Sequence, residues 1–270
     1  MGPGIRRGIA ALIGAGLLAA IWARTRRDGV GEASEEGSYA GSISCRTCHA
    51  DVYEAWKTSD HAEAQGPAEP SRVRGRFEGE RLEHFGAEAR FERHDGAFFV
   101  RTEGADGRPG IFRVSEVIGV DPLQQYLVEL DRGRLQTLPF CWDTRRGRWF
   151  HAYPDERIDA GDALHWTRPA QTWNYMCADC HVTGYRKNYD ARAAVYRSTY
   201  AERGVSCEAC HGPSSAHVAG RRGRSLARLD SRAAVDLCGA CHARRRPLRE
   251  DARPGPQFLD HYAPELLDGS

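Results

Sequence analysis

Eight of the nine cysteines in this 270-residue sequence form pairs separated by two residues, and a histidine directly follows each pair. We call the resulting pentapeptides CRTCH, CADCH, CEACH and CGACH the first to fourth pentads, and their cysteines are Cys45 and Cys48, Cys177 and Cys180, Cys207 and Cys210, and Cys238 and Cys241. With nine cysteines and eleven histidines in the chain, chance gives about 0.01 such pentads. The repetition indicates one chemical role used four times.

This spacing suits covalent attachment of haem. Two thiols can add to the two vinyl groups on one haem edge, and a two-residue spacer lets both sulfurs reach that edge. The next residue then lies beneath the iron, where its imidazole becomes the proximal ligand. The sequence therefore predicts four covalently bound c-type haems, with His49, His181, His211 and His242 as proximal ligands.

Paired cysteines have three other common roles besides haem attachment. The last three pairs are spaced 30 and 31 residues apart, which is not far from the spacing of zinc ribbons. A disulfide framework and a thioredoxin-like redox motif are the other two. None of them gives a reason for a histidine at the same place four times. Cys141, the ninth cysteine, is predicted to be a small buried apolar residue.

The sixth iron ligands are expected to be histidines, because the only methionines are Met1 and Met176. Seven histidines remain after the proximal ones. The candidate distal ligands are His61, His217, His165 and His261. His84 and His151 are further possibilities, and His94, beside a predicted hairpin turn, is expected to be exposed. Four iron positions and seven histidines permit either bis-histidine irons throughout or one iron with an open position.

The elements that must hold these residues are of two kinds. Residues 72–153 are predicted to form an antiparallel β insert of five or six strands, because aromatic and β-branched segments alternate there with turns such as Asp95-Gly96. Residues 40–71 are the first haem segment and 154–270 the three-haem segment, with helices expected in 51–64 and 189–204. The predicted fold class is α+β: a loop-rich multihaem module of short helices with an inserted small sheet, one face of which packs against the haem segments.

The N-terminal 27 residues are predicted to be a signal peptide or a membrane anchor. Residues 8–23 form an uncharged apolar run between arginines, and the end of this run is a poor cleavage site. Residues 28–39 are rich in Gly, Ser and Glu, as in a flexible linker. Since haem is attached covalently outside the bacterial cytoplasm, we expect a periplasmic, exported protein that residues 8–23 could anchor to the inner membrane.

The charge balance argues against nucleic acid as a partner, because 38 Lys and Arg residues are matched by 37 Asp and Glu residues. A local excess of arginine over 221–249 has two interpretations. The guanidinium groups could pair with haem propionates, or they could form a solvated basic surface on which a redox protein docks.

Three segments resemble the c-554-type multihaem cytochromes, in particular the branch often fused to tetratricopeptide repeats. They are YAGSISCRTCHADVYEAWKTSDHAEA, NYMCADCHVTGYRKNYDA and GVSCEACHGPSSAHVAG. The resemblance implies a periplasmic electron carrier with closely packed, mostly bis-histidine haems, one of which can keep an open position. It also implies that His61 and His217 are distal ligands. Such proteins usually continue into another CxxCH and a repeat domain, so a chain ending at Ser270 is expected to be a short relative or a truncated form.

Two main functions follow from these observations. The favoured hypothesis is electron transfer from a donor redox protein to an acceptor through closely packed haems. The alternative is an oxidoreductase whose one five-coordinate haem acts on a small nitrogen or sulfur compound, but no catalytic residue is predicted. A CxxCK site, as in pentahaem nitrite reductases, is missing from the sequence. A docking subunit of a larger membrane-bound redox complex is the third hypothesis.

Overall fold

The computed structural model of the chain describes residues 37–221, 229–249 and 257–265. The predicted targeting segment, with its apolar run at 8–23, lies outside the described residues, and so do positions 28–36 of the predicted linker. Within the described ranges, no helix has the length and apolar character needed to cross a membrane.

An antiparallel sheet of eight strands is the largest element. Its strands are β1 (Gln65–Pro67), β2 (Glu78–His84), β3 (Ala87–His94), β4 (Ala97–Glu103), β5 (Pro109–Ile118), β6 (Leu123–Glu129), β7 (Leu135–Asp143) and β8 (Arg148–His151). Strands β2 to β8 lie side by side in chain order, and β1 pairs with β5. Short connections between consecutive strands produce this meander, because they leave each strand beside the one before it.

Strands β3 to β8 are the six that the alternating sequence pattern predicts, and β1 and β2 are additional. The predicted Asp95-Gly96 turn joins β3 to β4, and both of its residues have positive φ, 50° and 78°. Phe85-Gly86 makes the same kind of turn between β2 and β3, with φ of 49° and 86°. A phenylalanine in the left-handed region is uncommon, so this turn carries no sequence signal for a hairpin.

An aromatic core joins β3 to β8, which are not neighbours in the sheet. The Phe91 ring in β3 is fully buried and stacks on Trp149 in β8, with ring centroids 3.6 Å apart. Phe77 adds edge contacts to Phe91 and Trp149. Since β3 and β8 are not neighbours in the strand order, the sheet must bend to bring these side chains together.

One face of the sheet packs against the segment that carries the second pentad, as the sequence predicts. Ile118 and Leu127 of the sheet share a buried cluster with Trp173 and Ala178. The Trp173 indole Nε1 donates a hydrogen bond of 2.9 Å to Oε1 of buried Gln65 in β1. Apolar burial and a satisfied polar pair together fix the second pentad against the sheet.

The remaining elements are short. The helices are α1 (Ala50–Lys57), α2 (Trp173–Met176), α3 (Ala178–His181), α4 (Cys207–His211), α5 (Ser215–Val218), α6 (Ser231–His242) and α7 (Phe258–His261). The two-stranded pairs are β9 (Val182–Thr183) with β12 (Glu202–Arg203), β10 (Tyr189–Asp190) with β11 (Val195–Tyr196), and β13 (Arg245–Pro247) with β14 (Tyr262–Pro264). Short helices beside an antiparallel sheet confirm the predicted α+β class.

The helix expected over 51–64 is shorter than predicted, and the one expected over 189–204 is wrong. Helix α1 ends at Lys57, so His61 lies in the turn that follows it. Residues 189–204 contain β10, β11 and β12 instead. The Asp190 carboxylate accepts from the backbone N–H of Arg192 and of Ala193, which favours a turn over the helix that the alanines suggest.

The stacked aromatic core predicts a large difference between two truncations in the sheet. Phe91→Ala is expected to lower the free energy of unfolding by about 3–5 kcal/mol, because it leaves a cavity beneath Trp149. Ile111→Ala in β5, where the side chain is 56% exposed, should cost at most about 1 kcal/mol. Denaturant unfolding followed by far-ultraviolet circular dichroism measures both, and equal costs would contradict the described core.

Candidate functional site

In each pentad, one helical turn joins the two cysteines to the histidine. The backbone N–H of His49 donates to the C=O of Cys45 at 2.9 Å, and that of His181 donates to the C=O of Cys177 at 3.2 Å. The third pentad is α4 itself, and the fourth forms the last five residues of α6. Since positions i, i+3 and i+4 of a helix share one face, each turn presents two thiols and one imidazole together.

The four pentads meet in two pairs through their cysteines. Cys45 and Cys207 lie close enough for each thiol to shift the pKa of the other, which places the first pentad beside the third. The Cys180 sulfur lies 3.9 Å from the C=O of Ala240 and close to Cys241, which places the second pentad beside the fourth. Burial is the main cause that raises the pKa of Cys207 to about 11, so in the free polypeptide this thiol is protonated at neutral pH.

Two of the predicted distal histidines lie beside proximal histidines of other pentads. The ring centroids of His217 and His49 are 6.3 Å apart, and those of His61 and His242 are 6.0 Å apart. An imidazole nitrogen lies about 2.0–2.1 Å from a metal ion such as zinc, and its ring centre about 1 Å further away. Two rings on opposite sides of one ion are therefore separated by about 6 Å, so both pairs fit a shared iron.

Hydrogen bonds at Nδ1 orient two of these imidazoles. The Nδ1 atom of His181 lies 3.0 Å from the C=O of Ala64, and Nδ1 of His217 lies 3.0 Å from the C=O of Arg221. A carbonyl oxygen only accepts, so Nδ1 carries the proton and Nε2 keeps a lone pair for a metal. Burial also lowers the pKa of His181, which favours the neutral ring that coordination requires.

The zinc and disulfide alternatives make different demands on the same cysteines. A zinc ribbon holds one ion with four converging Cys or His side chains. Within the part of the chain that the structure describes, no three His, Cys, Asp or Glu side chains are grouped in that way. All nine cysteines lie in that part, and all are free thiols. The turn geometry of the pentads and the two ring pairs therefore fit haem as the bound group.

Two carboxylates hold the chain that leads into the first pentad. Glu208, inside the third pentad, is only 2% exposed, and its oxygens accept from the backbone N–H of Ala40, Gly41 and Ser214 at 2.7–3.1 Å. Glu202 accepts from both the backbone N–H and the hydroxyl of Ser42. The bonds from Ala40, Gly41 and Ser42 reinforce the contact between the first and third pentads, because they cross at least 160 positions of sequence.

His165 lies in a different place from His61 and His217. It is buried in a cavity of the sheet region whose lining also includes His84 and His151. Its Nδ1 is 2.9 Å from the Thr167 hydroxyl, and its Nε2 is 3.9 Å from a carboxylate oxygen of Glu103. Both ring nitrogens thus face protein groups, which does not favour the predicted role as a distal ligand.

The His84 and His151 rings stack on each other, with centroids 3.7 Å apart. This separation is too short for a metal ion between the rings, since coordination would place them about 6 Å apart. Burial, with a smaller contribution from His84, lowers the pKa of His151 to about 4. The low pKa of His151 keeps its ring neutral at pH 7, and the stack occupies the sheet cavity.

The remaining predicted residues are placed as follows. His261 ends α7, and its Nδ1 is buried without a hydrogen-bond partner. His211 ends α4 and is exposed, and Cys48, Cys210 and Cys238 lie in the turns of their pentads.

His94 is exposed, as predicted, and Cys141 is buried in β7, as predicted. Burial raises the pKa of Cys141 to about 12.

Glu202 and Glu208 are the site residues that the sequence pattern did not indicate. Both look like ordinary charged residues near a cysteine pair, and their partners are backbone groups of a distant segment. Backbone donors have no signature in a sequence, so only the folded chain identifies these contacts.

The model of a family described as cytochrome c554 and c-prime matches residues 44–86 and 150–212. The matched ranges contain the first three pentads and His61, whereas His217 and the fourth pentad lie outside them, and β3 to β7 lie between the ranges. The match confirms the resemblance to c-554-type multihaem cytochromes. No curated protein matches the chain.

Two solved structures are similar to the chain. The outer cell wall cytochrome OcwA shares 21% sequence identity at a TM-score of 0.54, over 84% of this chain and 45% of that chain. An undecahaem cytochrome from the S-layer of Carboxydothermus ferrireducens shares 20% identity at a TM-score of 0.45, over 76% of this chain and 25% of that one. The chain thus spans less than half the length of either protein, and the similarity to OcwA is one of fold.

The buried carboxylate inside the third pentad gives a stability prediction. Glu208→Ala should lower the free energy of unfolding by about 3 kcal/mol or more, because three backbone donors lose a charged acceptor. The control is Glu54→Ala, which removes a carboxylate that is 48% exposed and paired with Arg46 and Lys57, and it should cost at most about 1 kcal/mol. Denaturant unfolding of the haem-loaded chain measures both costs, and a neutral Glu208→Ala would refute the role given to this carboxylate.

Proposed function

We propose that the chain, which matches the cytochrome c554 and c-prime family over 44–86 and 150–212, transfers electrons through four covalently attached c-type haems. Each pentad would bind one haem through its two cysteines and one proximal histidine. The observation that carries this proposal is the arrangement of the pentads in two neighbouring pairs, the first beside the third through Glu208 and Glu202, and the second beside the fourth through Cys180 and Ala240. Each haem supplies an iron that accepts and releases one electron.

The ring pairs support a bis-histidine assignment for two of the four irons. We assign His217 as the distal ligand opposite His49, and His61 as the distal ligand opposite His242. For His181 and His211 the candidates remain His261 and His165. His261 is the better supported of these two, because its buried Nδ1 lacks a protein partner, whereas His165 contacts Thr167 and Glu103.

The paired pentads would place neighbouring haems edge to edge. Cysteines of two pentads that lie side by side would bring the thioether edges of their haems together. The turn at 61–64 then connects the two pairs, since the His61 C=O accepts from Val205 N–H near the third pentad at 2.8 Å while the His61 ring faces His242 of the fourth. Electrons could therefore pass along the array without a substrate pocket.

The cellular setting is part of the proposal. Covalent haem attachment takes place outside the bacterial cytoplasm, so we place the chain in the periplasm or beyond it, with one redox protein as donor and another as acceptor. Membrane association through residues 8–23 rests on the sequence alone, because those positions lie outside the described residues.

Removal of a distal ligand tests the assignment. His61→Ala and His217→Ala should each convert one low-spin ferric haem to high spin, because the iron loses its sixth ligand and keeps its thioether bonds. Electron paramagnetic resonance and the absorption spectrum measure the spin state, and intact mass shows that no haem is lost.

The control for both variants is His94→Ala. His94 is 64% exposed and contacts Glu92 and the ring of Phe99, both within the sheet, so its removal should leave the spin state of every haem unchanged. Unaltered low-spin spectra in both His61→Ala and His217→Ala would show that these two histidines are not iron ligands.

A further inference from the structure

Arg245 has an unusual position at the contact between the second and fourth pentads. It begins β13, three positions after His242, and its side chain is only 8% exposed. The flanking arginine at 244 is 67% exposed and pairs with Glu265, and the one at 246 is exposed as well. Of three consecutive arginines, only the middle one has its guanidinium inside the protein.

Every side of the Arg245 guanidinium has a partner. Its Nε donates to the C=O of Ala240 at 2.7 Å, and its Nη2 lies 3.5 Å from the sulfur of Cys180. Its Nη1 lies 3.1 Å from a carboxylate oxygen of Asp179, and its central carbon lies 4.4 Å from the centre of the Tyr262 ring. A planar group held at so many points has a fixed position relative to both pentads.

The contacts place this cation at thioether edges and away from propionates. Cys180 and Cys241 are the second cysteines of their pentads, and they are in contact with each other. In haem c the thioether bonds and the propionates lie on opposite edges of the ring. Arg245 therefore cannot be the propionate partner of the two haems that these cysteines would hold, although the arginine excess over 221–249 suggests that role.

A fixed cation beside a redox centre favours the form of the centre with more negative charge. Reduction adds one electron to the iron and no proton to Arg245, which stays protonated in both states. Asp179 opposes the effect, but its side chain is 36% exposed, so water screens its charge more than that of the guanidinium. The net local field should therefore stabilise the ferrous state.

We propose that Arg245 is a positioning residue that locks the second and fourth pentads together and raises the reduction potentials of both haems attached there. The proposal rests on the proposed function, because it requires haem at those two pentads. An electron would therefore occupy this pair of haems more often than it would without the cation.

The test is a spectroelectrochemical titration of the haem-loaded chain and of Arg245→Met. Two of the four one-electron midpoints should move to lower potential, with about a tenfold lower ratio of ferrous to ferric haem at fixed potential. A tenfold change in a one-electron couple corresponds to about 59 mV. Arg245→Lys keeps the charge and should recover most of the shift. The control Arg244→Met removes an exposed neighbouring charge and should leave the curve unchanged.

A second variant gives the opposite sign and does not depend on the folding of Arg245→Met. Asp179→Asn removes the opposing charge and should raise the same two midpoints. If the chain carries four haems and both Arg245→Met and Asp179→Asn titrate like the wild type, the inference about Arg245 is wrong while the proposed function stands. A chain with no redox-active haem at these pentads would instead overturn the proposed function.

Discussion

The contact between cysteine pairs is the constraint on which the rest of the structure depends. Four CxxCH turns lie far apart in sequence, yet Cys45 meets Cys207 and Cys180 meets Cys241. A tetrapyrrole is large relative to a 270-residue chain, and a polar composition with 28% charged residues offers little apolar side-chain volume for a core around it. Placing cofactors against each other satisfies both needs, because each haem would cover part of the apolar surface of its neighbour.

The sheet provides the rigid support for that arrangement. Gln65 in β1 accepts from the Trp173 indole just before the second pentad, and it also donates to Glu116 in β5. Arg203 pairs with Glu116 at 3.0 Å, close to the third pentad. The turn at 61–64 lies directly before β1, and it contacts His181, Val205 and His242. A small displacement of β1 would therefore shift residues at the second, third and fourth pentads.

The sequence predicts those features that are local. The pentads follow from covalent chemistry within five residues, and strands β3 to β8 follow from alternation within each segment. The features it misses depend on distant partners. Strand β2 is polar and joined by an unusual Phe85-Gly86 turn, and residues 189–204 have helix-forming alanines but form hairpins because Asp190 stabilises a turn. The position of His165 in the sheet cavity, with His84 and His151, also depends on the fold and has no local sequence signal.

The central claim is that iron porphyrins are joined covalently to the four pentads. The most direct measurement is the intact mass of the chain matured in a host with a cytochrome c maturation system, recorded under denaturing conditions together with the metal content. The account predicts a mass equal to the polypeptide plus four haems, with one iron for each haem and no zinc. The mass of the bare polypeptide, or zinc in place of iron, would contradict it.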